Sequence, residues 1–316
     1  MMSLFDIVQR WVSEPPPDHL FEITENGLAG VSTRTPVQIR QQVLVERSLA
    51  ASPSAPNLIK PHLYREALMH VCGKAAGGRG NSRVGAALVI PDYAVRMAIL
   101  DFEQFPAGEE ERNALIRFRL RKSVPFHIDE AQVSHSVQVR EPGHIEVLAV
   151  AIARSILNEY EAVLADAGFR VGLVMPSAIA ALPLCSGPED GLRLVAKAAG
   201  STVTVLLIEH GRMRLVRCLD LASGASGDEE HVHEEQVEEG NFNVLALLQQ
   251  TLAYAEDQIG QPAKRLVLVG FGGATEALGK VAQQEFGLSY TGVRSKFGAA
   301  TEHNAGLLGL LEQYAA

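Results

Sequence analysis

The sequence predicts an α/β protein of two domains, and three observations support this fold class. The chain has 316 residues, of which 47% are hydrophobic and 21% charged, as is typical of soluble globular proteins. At roughly 150 residues per domain, this length favours about two domains. Three strand-forming segments begin each half, within residues 19–45 and 192–219, and helical patterns follow them. We therefore expect two copies of one unit, although no residue-level repeat is visible.

The first 18 residues are predicted to form a short amphipathic helix and a proline linker. Apolar side chains recur on one face, at Leu4, Phe5, Ile7, Val8, Trp11 and Val12. Three prolines at 15–17 end the helix. We expect its apolar face to pack against the protein or a partner, because the opposite face lacks the Lys and Arg excess that anionic lipid attracts. The segment also lacks the basic leader and the cleavage site of a secretion signal.

The first domain, residues 19–190, is predicted to open with three antiparallel strands, at 19–24, 28–33 and 37–45. Turn-forming residues separate these strands, at 25–27 and 34–36. A helix at 63–72 and a glycine-rich loop at 75–83 follow. Residues 84–90 form a continuous apolar run, which is typical of a strand buried on both faces.

Residues 92–166 are predicted to form a small α/β subdomain inserted in the first domain. Helix 109–123 begins with three acids and ends before Pro125, which biases its predecessor away from helical angles. Apolar and polar residues alternate over 131–139 and predict a half-buried strand. A turn leads to its partner strand at 145–153, and a long helix then ends near Gly168.

The second domain, residues 191–316, is predicted to repeat the three-strand opening at 192–196, 203–208 and 212–219. An acidic segment, 221–240, precedes a helix whose inner face carries Leu245, Leu248 and Leu252. Residues 265–269 are predicted to be a buried strand that runs into a glycine-rich turn, and two helices complete the chain.

Composition and missing motifs argue against several function classes. Lys plus Arg total 28 against 37 Asp plus Glu, and this acidic balance disfavours nucleic-acid binding. The three separated cysteines form neither a disulfide framework nor a metal motif, and they favour a reducing compartment. Gly73 and Lys74 lack the hydroxyl residue that a P-loop requires. His231 and His233 stand in an acidic run that we interpret as a solvated loop, so we predict no metal site and no catalytic residue.

A resemblance to a known family rests on the order of several segments. Residues 121–130, RKSVPFHIDE, are similar to the helix-ending signature of the PilM family of cytoplasmic type IV pilus assembly proteins. Residues 147–151, VLAVA, and 164–168, LADAG, resemble a later strand and helix end of that family. The resemblance implies an actin-like (ribonuclease H-like) fold of two domains with an inserted subdomain at 92–166.

The resemblance also implies a nucleotide cleft built from three loops. The candidate contacts are Glu22, Thr24 and Gly27 in the first loop, Gly200, Ser201 and Thr202 in the second, and Gly270, Gly272 and Gly273 in the third. The segment 221–240 stands where the family has a further helical subdomain that closes over the nucleotide.

Departures from the family pattern make this cleft vestigial. Thr24 replaces the first glycine of the first loop, and Glu25 adds a carboxylate that would repel phosphate. Ala196 or Lys197 stands where the second loop would have the acid that holds the magnesium shell. We therefore expect Mg-ATP to bind weakly or not at all, and we expect no enzyme activity.

The resemblance further implies a function. PilM-family proteins bind the cytoplasmic tail of the membrane protein PilN at the first domain. We therefore expect a cytoplasmic scaffold at the inner-membrane face, held there by a PilN-like protein and by other pilus platform or motor proteins. Arg117 and Arg121 are candidate contacts to an acidic or polar tail. Two alternatives stay open: an active ATPase or sugar kinase of the actin-like superfamily, and a type II secretion platform protein of the GspL kind.

Overall fold

The computed structural model describes residues 4–9, 11–12, 15–33, 37–44, 47–72, 84–187, 191–221 and 233–315. In the helical segments 4–6 and 233–242 it describes the backbone alone. The predicted turn at 34–36, the glycine-rich loop at 75–83 with Gly73 and Lys74 before it, and His231 lie outside the described residues.

The helices and strands follow the predicted order along the chain. The first are α1 (Leu4–Gln9), β1 (His19–Thr24), β2 (Gly27–Ser32), β3 (Arg40–Val43), α2 (Pro61–Cys72) and β4 (Val84–Ile90). An insert follows, with β5 (Arg96–Phe102), α3 (Glu109–Leu120), β6 (Ala131–Glu141) and β7 (His144–Ala153). Then come α4 (Arg154–Asp166), β8 (Phe169–Pro176) and α5 (Ser177–Ala180). The second half has β9 (Leu192–Ala199), β10 (Thr202–Glu209), β11 (Arg212–Asp220), α6 (His233–Tyr254), β12 (Arg265–Val269), α7 (Thr275–Phe286), β13 (Ser289–Gly292) and α8 (Ala305–Tyr314).

Two five-stranded sheets of the same topology form the centres of the two halves. Their strand orders are β3-β2-β1-β4-β8 and β11-β10-β9-β12-β13. In each sheet the first three strands along the chain pair antiparallel, and the later strands add in parallel. The predicted three-strand openings are therefore present in both halves. The apolar run at 84–90 is β4, an inner strand between β1 and β8, whose last five residues are all buried.

The helices α1, α5 and α8 pack together on one side of the first sheet. Ile7 and Val8 of α1 are buried in this cluster, so the predicted apolar face of the N-terminal helix packs against the protein itself. Helix α8 returns from the second half to pack against α5. Only glycine permits this approach, because a Cβ on Gly309 would lie 2.1 Å from the carbonyl oxygen of Ala180.

The insert is a three-stranded sheet of order β5-β7-β6 with α3 on one face. The predicted helix 109–123 is α3, which ends at Leu120, before Pro125. The helix α4, which the predicted subdomain 92–166 includes, buries Tyr160 and Leu164 in the core of the first sheet. The three-stranded sheet itself therefore covers only residues 96–153.

Strand β6 departs from the predicted alternation at its far end. The register with β7 shifts between Val137 and Val139, and both Ser136 before this bulge and Gln138 at it are buried instead of facing solvent. The Gln138 amide group donates to the carbonyl oxygen of Met213 at 3.0 Å and accepts from the Met213 N–H at 2.9 Å. The side chain thus continues the hydrogen bonding of β11 and joins the insert to the second half.

Helix α6 begins inside the predicted acidic segment 221–240. Residues 233–240 form its first turns, so they are helical and not part of a loop. Residues 222–232 lie outside the described part of the chain. Among the described residues, no helix combines the length and apolar character needed to cross a bilayer.

Candidate functional site

The turns of two equivalent hairpins, β1-β2 and β9-β10, meet between the sheets, and Glu25 fills the space between them. The Glu25 carboxylate accepts hydrogen bonds from the Ser201 N–H at 2.8 Å and from the Ser201 hydroxyl at 2.6 Å. A Cβ on Gly200 would lie 2.6 Å from a Glu25 oxygen. Glu25 is only 5% exposed, with the Arg47 guanidinium 3.6 Å away.

A second carboxylate approaches the same turn from the segment before α8. The Gly200 N–H donates to Glu302 at 3.3 Å, and His303 lies 3.4 Å from both Glu302 and the Thr24 hydroxyl. Backbone N–H groups in such turns are the donors that bind phosphate in nucleotide-binding proteins. In this chain their acceptors are carboxylates of the protein itself.

Three other predicted nucleotide contacts, Thr24, Gly27 and Thr202, stabilise the hairpins. The Thr24 hydroxyl donates to the Gly27 carbonyl at 3.3 Å, and the Thr202 hydroxyl donates to the Ala199 carbonyl at 2.9 Å. Both threonines are buried. A Cβ on Gly27 would lie 2.8 Å from the carbonyl oxygen of Gln42, so glycine allows β2 to pair closely with β3.

The third predicted loop lies next to the second hairpin. Gly270 adopts a φ of 81°, and a Cβ there would lie 2.5 Å from the carbonyl oxygen of Ala198. A Cβ added at Gly272 or at Gly273 would meet no atom within 4 Å. A cavity of about 720 Å³ opens beside this turn and is lined in part by Gly270, Gly272 and Thr301. The structure therefore brings the three predicted loops to one place.

Glu22 is not part of the cleft surface but belongs to a buried charge cluster with Asp92 and Lys197. Each of the three is 1% exposed. Glu22 accepts from the Leu307 N–H at 2.8 Å and from the Ser177 hydroxyl. Leu307 and Ser177 lie near the N-termini of α8 and α5, where the helix dipole favours a carboxylate.

Asp92 makes the matching contacts from the start of the insert. It accepts from the Ala178 N–H of α5 at 2.8 Å and from the Thr204 hydroxyl of β10 at 2.9 Å. It therefore joins the first half to the second. Asp92 was not among the predicted site residues; the available signal was a single acid, two residues after the buried run of β4.

Lys197 supplies the positive charge of this cluster. Burial raises the pKa of Glu22 and of Asp92, and the nearby charge of Lys197 opposes both shifts. The Lys197 Nζ atom has no hydrogen-bond partner in the part of the chain that the structure describes. The Lys197 side chain thus lies beside Glu22, the acid of the first loop. The family resemblance implies a second acid here, which would hold the ligand shell of a magnesium ion.

A groove of about 370 Å³ lies between the first sheet and the insert. Consecutive residues of β8, from Val171 to Pro176, line it, so it runs along the edge of this strand. In the described structure β8 pairs with β4 alone and ends its sheet, which leaves its other edge without a strand partner. The opposite walls are formed by β6, β7, α4 and Trp11, with an apolar floor that includes Ile90, Val150, Ile152 and Ile179.

Arg117 and Arg121, the predicted partner contacts, lie away from this groove. Helix α3 covers the face of the insert formed by Ala131 and Val133, whereas Gln132 and Ser134 on the other face line the groove. Arg117 donates to the carbonyl oxygen of Ile128 and, at 2.9 Å, to that of Ala131. Arg121 pairs with Asp129 at 3.2 Å in an exposed position. Arg117 thus anchors the segment after α3.

Comparison with known proteins adds fold information. No protein-family model and no curated protein sequence matches the chain. A chain of a solved "PilM-PilN type IV pilus biogenesis complex" is similar, with a TM-score of 0.75 and 16% identity over 95% of this chain and 99% of that chain.

Two further solved structures are similar at TM-scores below 0.5. One is the cytoplasmic domain of EpsL, an inner membrane component of the type II secretion system of Vibrio cholerae, with a TM-score of 0.46 and 13% identity over 79% of this chain and 81% of that one. The other is the ethanolamine utilization protein EutJ from Carboxydothermus hydrogenoformans, with a TM-score of 0.46 and 14% identity over 97% and 94%. The repeated sheet topology and the first similarity identify this chain as a protein with an actin-like fold.

Proposed function

We propose that this chain is a scaffold of a type IV pilus inner-membrane platform that works without nucleotide. It acts in the cytoplasm at the inner-membrane face and binds the cytoplasmic tail of a PilN-like membrane protein along β8. The observation that carries the first part is the Glu25 carboxylate, which takes up the Ser201 N–H and hydroxyl between the two hairpins. The groove beside β8 supports the second part.

Electrostatics oppose ATP in this cleft. A triphosphate between the hairpins would meet the carboxylates of Glu25 and Glu302, and like charges at short range in a poorly solvated site repel strongly. ATP enters such sites with Mg²⁺, which needs oxygen ligands. Lys197 places a fixed positive charge beside Glu22, where a metal shell would require a further carboxylate.

The two halves are joined by contacts that need no nucleotide. Glu25 bonds to Ser201, and Asp92 bonds to Thr204. Near the insert, Gln138 bonds to Met213, and Glu146 pairs with Arg212 at 2.8 Å. Each contact crosses from the first half of the chain to the second. A scaffold requires this constant shape, whereas a nucleotide-driven machine must open and close its cleft.

The edge of β8 suits an extended peptide. A tail added as a further strand would gain main-chain hydrogen bonds, and its side chains would alternate into pockets that give specificity. The apolar floor of the groove would receive one set of these side chains. The solved PilM-PilN complex has the fold of this chain, which favours a partner of the same type.

Substitution of Gly172 tests the groove. Gly172 is an exposed β8 residue that lines the groove, and a Cβ there would meet no atom within 4 Å. Gly172→Leu should therefore leave the fold intact while its side chain obstructs the groove. The ligand is a synthetic peptide with the cytoplasmic segment of a PilN-like membrane protein from the same organism, here called the tail peptide. We expect calorimetry to give at least tenfold weaker binding, about 1.4 kcal/mol.

Gly85→Leu is the matched control. Gly85 lies in β4 of the same sheet, has equal space for a Cβ and does not line the groove. The Gly85→Leu variant should bind the tail peptide with the same affinity as the unchanged protein. Equal binding by both variants would exclude the β8 groove as the docking site.

A further inference from the structure

We propose that Asp101, His144 and Glu146 form a binding site for a divalent transition-metal ion such as Zn²⁺. This inference goes beyond the proposed function and does not depend on a PilN-like partner. The three side chains offer one imidazole nitrogen and two carboxylate oxygens, and these ligand atoms all lie within 4.8 Å of one another. Imidazole and carboxylate groups are ordinary ligands of zinc in proteins.

Strands β5 and β7 bring these residues together on one face of the insert. Asp101 and Glu146 are directly opposite each other in the antiparallel pairing, and His144 precedes Glu146 by two residues. Side chains two positions apart on a strand point to the same face. Helix α3 packs on the other face, against Val147 and Ala149. No sequence motif predicts this cluster, because more than 40 positions separate Asp101 from His144.

The facing carboxylates of Asp101 and Glu146 carry a cost that a cation between them would remove. Like charges directly opposite each other on neighbouring strands destabilise a sheet. Burial raises the pKa of Glu146 and the charge of Asp101 raises it further, while the charges of Arg212 and Arg214 lower it. Among the described residues, no hydrogen bond or ion pair engages the Asp101 carboxylate or the His144 ring. Both groups are therefore available to an ion.

Contacts with the neighbouring strands orient the buried ligand of this cluster. Glu146 is 4% exposed. Arg212 of β11 and the Gln138 amide of β6 both approach its Oε1 atom, at 2.8 Å and 3.2 Å. Groups that hydrogen-bond a ligating carboxylate fix its orientation toward the metal. This arrangement favours Oε2 of Glu146 as the oxygen that binds the ion.

The mixed ligand set selects among cations. Mg²⁺ and Ca²⁺ take oxygen ligands, whereas one imidazole with two carboxylates suits Zn²⁺. Zinc lies about 2.0–2.2 Å from such ligands, so each of the three atoms would have to move by less than about 1 Å. Three protein ligands leave a fourth position for water. The positive charge of Arg212 opposes the ion, so we expect micromolar affinity and not the tighter binding of a structural zinc site.

Calorimetric titration of the metal-free full chain with ZnCl₂ tests this site. We expect one bound Zn²⁺ per chain. His144→Ala and Asp101→Asn should each weaken binding by about tenfold or more, because even the loss of a group that orients a ligand costs this much. Neither residue is buried, so both variants should keep the fold. His127→Ala is the matched control, since His127 is an exposed histidine of the same insert outside the cluster, and its affinity should be unchanged.

The outcomes decide this inference independently of the scaffold function, which tail-peptide binding tests. Absence of Zn²⁺ binding to the unchanged protein, or equal binding by His144→Ala, would overturn the inference. Equally tight binding of Mg²⁺ would also overturn it, because the cluster would then act as an acidic surface alone. If thermal unfolding shows that a variant has lost its fold, X-ray absorption of the zinc-loaded unchanged protein decides the question. One imidazole nitrogen among oxygen ligands would support the site, and oxygen ligands alone would refute it.

Discussion

At the residue scale, the buried cluster of Glu22, Asp92 and Lys197 makes stability depend on pH. Burial raises the pKa of Glu22 above its usual value of 4.5. The folded protein therefore binds this proton more tightly than the unfolded chain does, and the free energy of unfolding falls as the pH rises above about 4.5. The positive charge of Lys197 reduces this loss and does not cancel it.

Glu22→Gln removes the titrating group and keeps an oxygen for the Leu307 N–H. We expect the free energy of unfolding of this variant, relative to the unchanged protein, to increase as the pH rises above about 4.5 and to level off once the pH exceeds the raised pKa of Glu22 in the folded protein. Urea unfolding at several pH values measures it. Asp92→Asn should change in the same direction, since burial also raises the pKa of Asp92. A difference that is flat or decreases with pH would contradict this assignment.

The same cluster marks the limit of sequence reasoning about single residues. The sequence predicted that Glu25 would oppose phosphate, and its place between the hairpins agrees with that reasoning. The sequence alone did not decide whether Ala196 or Lys197 occupies the position of the missing acid. The structure identifies Lys197 as the buried charge. Its charge acts on Glu22 and Asp92, residues more than 100 positions away along the chain, which no local pattern encodes.

At the element scale, strands and helices with one dominant period were predictable. The run of β4 and the apolar face of α1 both appear where the pattern put them. Strand β6 was predicted only in part, because the second half of the chain covers its far end, where Gln138 bonds to Met213. This packing is not visible in the alternation itself. Partner contacts at Arg117 and Arg121 remain a prediction outside the groove.

Gln138 offers a test of this element contact. Gln138→Ala leaves the buried N–H and carbonyl of Met213 without their partner, and a buried unsatisfied group costs about 1–3 kcal/mol. We expect the free energy of unfolding to fall by an amount in this range. Gln132→Ala, on an exposed part of the same strand, should cost clearly less. Equal losses in urea unfolding would mean that the Gln138 contact does not stabilise the insert against β11.

At the scale of the whole molecule, the two halves of this actin-like fold are held together by side chains of the chain itself. Helix α8 packs with α1 and α5 on the first sheet, so the end of the predicted second domain, 191–316, belongs spatially to the first. The sequence placed this helix correctly along the chain and could not show where it packs. At the two hairpins, the carboxylates of Glu25 and Glu302 accept hydrogen bonds from the N–H groups of the β9-β10 turn.

Titration of the tail peptide by calorimetry, with and without millimolar Mg-ATP, distinguishes a nucleotide-independent scaffold from a nucleotide-dependent machine. We expect one and the same dissociation constant in both conditions, and no heat when Mg-ATP alone is added. Glu25 would have to move before a triphosphate could enter. Low-micromolar binding of Mg-ATP, or a severalfold change in tail affinity when it is present, would contradict the account and favour an active ATPase or kinase.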